Sequence, residues 1–165
     1  MTTTPRTWVV GEVVTAAELN AEIRDQFNSF FGAWSTYTPT WNATSAPALG
    51  NGTLVGRYIN LGRTYHCVVH LTAGSTSTYG SGGYSFSLPA TAAASGTGSR
   101  IGEAQALAAT RVGGQTVISP NGTNVTPFFA TSSSVTTLIQ ATPTVPFTWA
   151  SGNECRMGFT YESAS

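Results

Sequence analysis

Lysine is absent from this 165-residue chain, and charge of either sign is scarce. Asp, Glu and Arg together make up 8% of the residues, against roughly a quarter in ordinary soluble domains. Seven arginines offset seven acids, so the net charge is zero. Without a cationic face, nucleic-acid binding by phosphate neutralisation is excluded as the main activity. No apolar run reaches the roughly 18–20 residues of a membrane span, so no membrane insertion is expected. Residues 1–6 lack the apolar stretch that would follow in a secretory signal. Two cysteines, Cys67 and Cys155, are too few for a disulfide framework. A bond between them would need adjacent strands; the reading adopted is two buried free thiols.

Catalytic signatures are missing as well. There is no Gly-x-Ser-x-Gly elbow, no Walker-type phosphate loop and no His-Glu-x-x-His. Seven acids leave few pairs for glycoside hydrolysis, and Glu103 with Glu154 is the conceivable one. His66 and His70 would stand about 13 Å apart along a strand, with Cys67 on the opposite face. That is too far for one ion, and only a site shared by one His per subunit on a symmetry axis would remain. The chain is therefore read as non-enzymatic, with no cofactor and no metal.

Hydroxyl takes the place of charge: 27 Thr and 17 Ser make 44 of 165 residues, joined by 18 Gly. Eighteen aromatics spread along the chain argue against disorder. Six of the fourteen charged residues fall within the first 25 positions, which divides the chain into an attachment arm and helix over 1–34 and a β-sandwich head over 35–165.

Within the first part, Thr15 and Glu18 form a capping-box pair, and Val14 with Leu19 has the spacing of a hydrophobic staple. Leu19, Ile23, Phe27, Phe30 and Trp34 then recur at steps of four and three, one stripe on a helix ending near Gly32. The stripe must be covered, either by the chain's own head or by the helices of neighbouring subunits. Trp8, Val14, Leu19, Ile23, Phe27 and Phe30 are the candidate oligomer and attachment residues. Residues 7–14, rich in valine, suit an extended docking arm or an edge strand.

In the second part, short β-like runs alternate with turn signals. Residues 35–41 form an edge run around Pro39. Residues 53–61 and 63–72 read as a hairpin about Gly62, with Tyr65, Cys67, Val69 and Leu71 on one face and Thr64, His66, Val68 and His70 on the other. Further strands are read over 84–89, 115–119, 125–131, 135–139 and 156–161. Residues 100–111 are read as a strand with helical propensity over 103–109. Residues 74–83 and 91–99 are read as loops, and Asn51-Gly52, Gly113-Gly114 and Asn121-Gly122 as turns. The expected fold is mainly β: an antiparallel β-sandwich or jelly roll of about eight strands, preceded by an arm and an α-helix. A surface so poor in charge gives little protection against edge pairing, so an oligomer that covers the edges is expected. Trp41, Tyr79, Tyr84 and Trp149 are candidate glycan contacts, because aromatic faces stack on sugar rings. Each tryptophan also suits a core or an interface.

One stretch carries a resemblance. Pro5-Arg6-Thr7-Trp8-Val9-Val10-Gly11-Glu12-Val13-Val14-Thr15-Ala16-Ala17-Glu18-Leu19-Asn20, followed by Arg24-Asp25, resembles the N-terminus of minor tail or tail-fibre-like proteins of phages infecting actinobacteria. Residues 34–41, 50–58, 80–89 and 146–154 fit the same pattern, the last with Asn153 where the family more often has Asp. The resemblance implies a virion structural protein, a homotrimer assembled in the bacterial cytoplasm. Its N-terminus would bind other virion proteins, and its head would touch host surface polysaccharide. Two alternatives stand beside it: a capsid decoration or head-fibre protein without a receptor role, and a free carbohydrate-binding module or hydrolase.

Overall fold

The computed structural model describes residues 6–94, 98–131 and 137–164. The helix begins where the capping box places it. The Thr15 hydroxyl accepts from the Glu18 amide, and the Thr15 amide donates back to the Glu18 carboxylate at 2.8 Å. The helix runs as α1 (Ala16–Leu19), a π turn (Asn20–Arg24) and α2 (Asp25–Phe31), and Gly32 leaves it in extended conformation. In the π turn the Asp25 amide donates to the Asn20 carbonyl. A π turn takes more residues than the 3.6 of an α-turn.

Ten strands follow among the described residues: β1 (Ser35–Tyr37), β2 (Trp41–Asn42), β3 (Thr53–Leu61), β4 (Thr64–Thr72), β5 (Ser85–Ser87), β6 (Arg100–Leu107), β7 (Arg111–Ile118), β8 (Asn124–Ala130), β9 (Leu138–Gln140) and β10 (Glu154–Glu162). All pairings are antiparallel, in the order β1-β3-β4-β10-β6-β7-β8-β5-β2, with β9 on the free half of β8. The sheet curls so that its two ends share one core, which places it in the β-sandwich class. The residue at 39 explains one departure from expectation. Pro39 cannot donate to a ladder, and the run 35–41 breaks there into β1 and β2, which occupy opposite margins of the sheet.

Period-two alternation builds the core. β4 turns Cys67, Val69 and Leu71 inward, and β10 turns in Cys155, Met157, Phe159 and Tyr161. Trp41, Tyr84, Phe86, Val125, Phe129 and Trp149 close it from the other end of the sheet. The hairpin about Gly62 forms as expected, with Leu61 opposite Thr64 and Gly62 at φ 60°. Residues 100–107 are strand rather than helix. Gly113-Gly114 is not a turn: both lie inside β7, and the chain reverses over 108–110. Of the run 135–139, positions 135 and 136 lie outside the described residues, as do 95–97 of the loop 91–99; β9 begins at Leu138.

Cys67 and Cys155 do sit on adjacent strands. However, Cys67 faces Phe159 and Cys155 faces Leu71, four register positions apart. Four residues of strand are about 13 Å, twice the Cα reach of a disulfide. Both are buried free thiols, each pushed up to about 12 by burial. Neither should react with Ellman's reagent at mildly alkaline pH in the native chain, and both should react once the chain is unfolded in guanidinium.

The adjacent glycines of β7 face opposite ways. A Cβ on Gly114 would lie 2.2 Å from the Phe128 carbonyl oxygen and 2.4 Å from the Phe129 ring, whereas one on Gly113 would meet nothing within 4 Å. Gly114→Ala should cost about 1–3 kcal/mol through overpacking, and Gly113→Ala should be close to neutral. Urea unfolding of the two variants measures the contrast.

Candidate functional site

Two surfaces stand out once the core is accounted for. The first is the N-terminal element. Leu19, Ile23, Phe27 and Phe30 are 44%, 47%, 59% and 61% exposed, and no described helix residue is buried. Of the helical segments, α2 approaches the head at β3. The head therefore does not cover the stripe. Trp8 and Val14 are each 42% exposed.

The arm over 7–14 is not a strand. It turns at Gly11 (φ 85°), where the Glu12 amide donates to the Val9 carbonyl at 3.1 Å. Arg6 holds this turn against the helix. Its guanidinium bridges the Glu12 and Glu18 carboxylates, its amide donates to Glu22 at 3.3 Å, and it lies 5.1 Å from the Trp8 ring centre. Arg6 thus gathers three of the four acids of this region, whose six charges sum to −2, and Arg24 pairs with Asp25 at 2.8 Å. The result is an ion-paired, apolar-faced element with a net negative charge.

The second surface is an open groove of about 910 Å³ on the outward face of the sheet, crossing β3, β4, β10, β6 and β7. Register lays out its floor: Arg57 faces Val68, Val68 faces Gly158, Gly158 faces Glu103, and Glu103 faces Gln115. Gly158 leaves open space above it. The next row carries Val55, His70, Arg156, Gln105 and Gly113. Glu154 lies in the row beyond, opposite Thr72 and Leu107, and accepts from the His70 ring at 2.8 Å and from Arg156 Nε at 2.8 Å. The His70 hydrogen bond, ahead of Arg156, holds Glu154 below the ordinary carboxylate range. Arg57 lies 5.9 Å from the Trp34 ring centre.

The four aromatics singled out for glycan contact do come together, but in the interior. Trp41, Tyr84 and Trp149 are buried, and Tyr79 is half-buried. Trp41 meets Tyr79 at 6.2 Å and Tyr84 at 5.1 Å, while Tyr84 meets Trp149 at 6.2 Å. The Tyr84 hydroxyl donates to the Tyr79 carbonyl at 2.8 Å, and the Trp149 indole to the Val145 carbonyl at 3.2 Å. They form an interlocked core cluster, not a stacking platform.

His66 and His70 face outward on β4 with separate partners: His66 Nδ1 lies 2.9 Å from the Thr160 hydroxyl, and His70 is on Glu154. Among the described residues no cluster of three His, Cys, Asp or Glu is placed to hold a metal ion. Glu103 and Glu154 share the outward face, but Glu103 faces Gly158 and Glu154 faces Leu107. Their Cα atoms are four register positions apart, about 13 Å along the strand, where a glycosidase pair places its carboxyls about 5–10 Å apart. Glu154 is also held in its ionised form, the opposite of what a general acid needs. No described helix is long and apolar enough to cross a membrane. Comparison with protein-family models, with curated proteins and with solved structures found no match.

The capping box makes the helix pH-sensitive. Glu18 is lowered from 4.5 to about 2 by the Thr15 amide first, then by the Thr15 hydroxyl and Arg6. A carboxylate lowered in the folded state stabilises it above the ordinary value and loses that contribution as pH falls through the lowered one. Helical circular dichroism should therefore decline as the pH falls from about 4.5 to about 2. Glu18→Gln should flatten that decline.

Proposed function

We propose that this chain is a structural, non-enzymatic protein of a phage virion, of the minor tail or tail-fibre-like kind. Its N-terminal element self-associates and anchors it, and its β-rich head presents a binding face to host surface glycan. The observation that carries the reading is the uncovered stripe Leu19, Ile23, Phe27 and Phe30 on the N-terminal helix. An isolated helix of this length is marginal in water, and apolar side chains at this spacing favour packing against identical helices. The pairing of Glu12 and Glu18 with Arg6 suits such an interface, since unpaired charge at its core is costly. The homotrimer comes from the resemblance of residues 5–25 to phage tail proteins, which also points to virion neighbours as the anchor.

Sedimentation of the full chain should give a trimer, and a monomer at micromolar concentration would overturn the reading. Replacing Ile23 and Phe27 together by Asp should yield a monomer with an unchanged β signal. A chain beginning at Ala33 should keep its head folded but lose both trimer and particle attachment.

A further inference from the structure

We infer that the outward groove holds an acidic saccharide, one whose repeat carries a carboxylate or phosphate beside free hydroxyls. This rests on the reading of the head as a glycan-binding face and names the ligand that the face fits. Arg6, Arg24, Arg63 and Arg156 each hold a carboxylate, whereas Arg57 has none among the described residues. Its neighbour is the Trp34 ring, which orients a guanidinium by cation–π attraction without neutralising it. Glu154 is occupied by His70 and Arg156 and so is not competing for Arg57. A neutral ligand lying over Arg57 would strip water from an unpaired cation, while an anionic group would supply its bidentate partner.

The rest of the groove suits hydroxyls. On the same register row, Glu103 stands across Val68 and Gly158 from Arg57, three strand spacings or roughly 14 Å away. The Glu103 carboxylate accepts from hydroxyl donors, and the neighbouring Gln105 amide both donates and accepts. Gly158 supplies the trough between the two ends, because nothing stands above it. No aromatic ring lines the groove, so stacking, the usual means of holding neutral sugars, is not available within it.

The test is calorimetric titration of the full-length chain with three probes: an oligogalacturonate, a poly(glycerol phosphate) and a neutral malto-oligosaccharide. One or both acidic probes should bind, more weakly at high salt, and which of them binds separates carboxylate from phosphate. The neutral probe should bind at least about tenfold less tightly. Arg57→Gln should weaken the acidic probe by roughly ten- to a hundredfold, and Gly158→Gln should block the trough, both with unchanged thermal melts. Binding should alter tryptophan fluorescence in the native chain but not in Trp34→Phe. Equal binding of neutral and acidic probes, untouched by Arg57→Gln, would overturn the inference and leave the glycan-binding reading intact. Failure of all three probes would overturn the inference and count against that reading too. A change of oligomeric state in Arg57→Gln would also overturn it, by making the groove a subunit contact.

Discussion

The fold depends on the ladder that β10 forms with β4 on one side and β6 on the other. This strand joins the hairpin β3–β4 to the run β6–β7–β8, so that what would be two half-sheets becomes one. Its alternation does two jobs at once. Cys155, Met157, Phe159 and Tyr161 enter the core, while Arg156 and Gly158 face outward and form the middle of the groove. Because the side-chain period of a strand is two, a slip of one residue would exchange these sets. Core and groove thus share a single register.

Charge economy is the second constraint. The head keeps its sheet wet with Thr and Ser hydroxyls and gathers part of its few ions into small groups, such as Glu154 with His70 and Arg156, or Arg63 with Glu162. The N-terminal element gathers Glu12 and Glu18 around Arg6. Arg57 lies outside such groups, with no carboxylate partner among the described residues and the Trp34 ring beside it. The helix exposes Leu19, Ile23, Phe27, Phe30 and Phe31 close to these ions.

The sequence made local features readable and left the non-local ones hidden. The helix start was legible because a capping box lies within four consecutive residues, Thr15 to Glu18. The β3–β4 hairpin was legible because Gly62 and an unbroken alternation carry it. The π turn left no sign, since Asn20–Arg24 has ordinary helical composition. Trp41, Tyr84 and Trp149 suited a glycan platform or a core equally by composition, and the strands that fold over them, distant in sequence, decide for the core. Gly113-Gly114 looked like a turn, although Gly114 is there to admit the Phe129 ring. The groove could not be read at all: Arg57, Val68, Gly158 and Glu103 come from four strands, and only the sheet order aligns them.

The position of β10 also bears on the order of events during synthesis. It is the tenth strand made, yet it lies in the interior of the sheet. Until it leaves the ribosome, β4 and β6 each show an unpaired margin, and the head has no way to close. The amphipathic helix, by contrast, emerges first and needs only local bonds to form. In the trimer proposed above, nascent chains on one polysome would present their helical segments to one another before any head is complete.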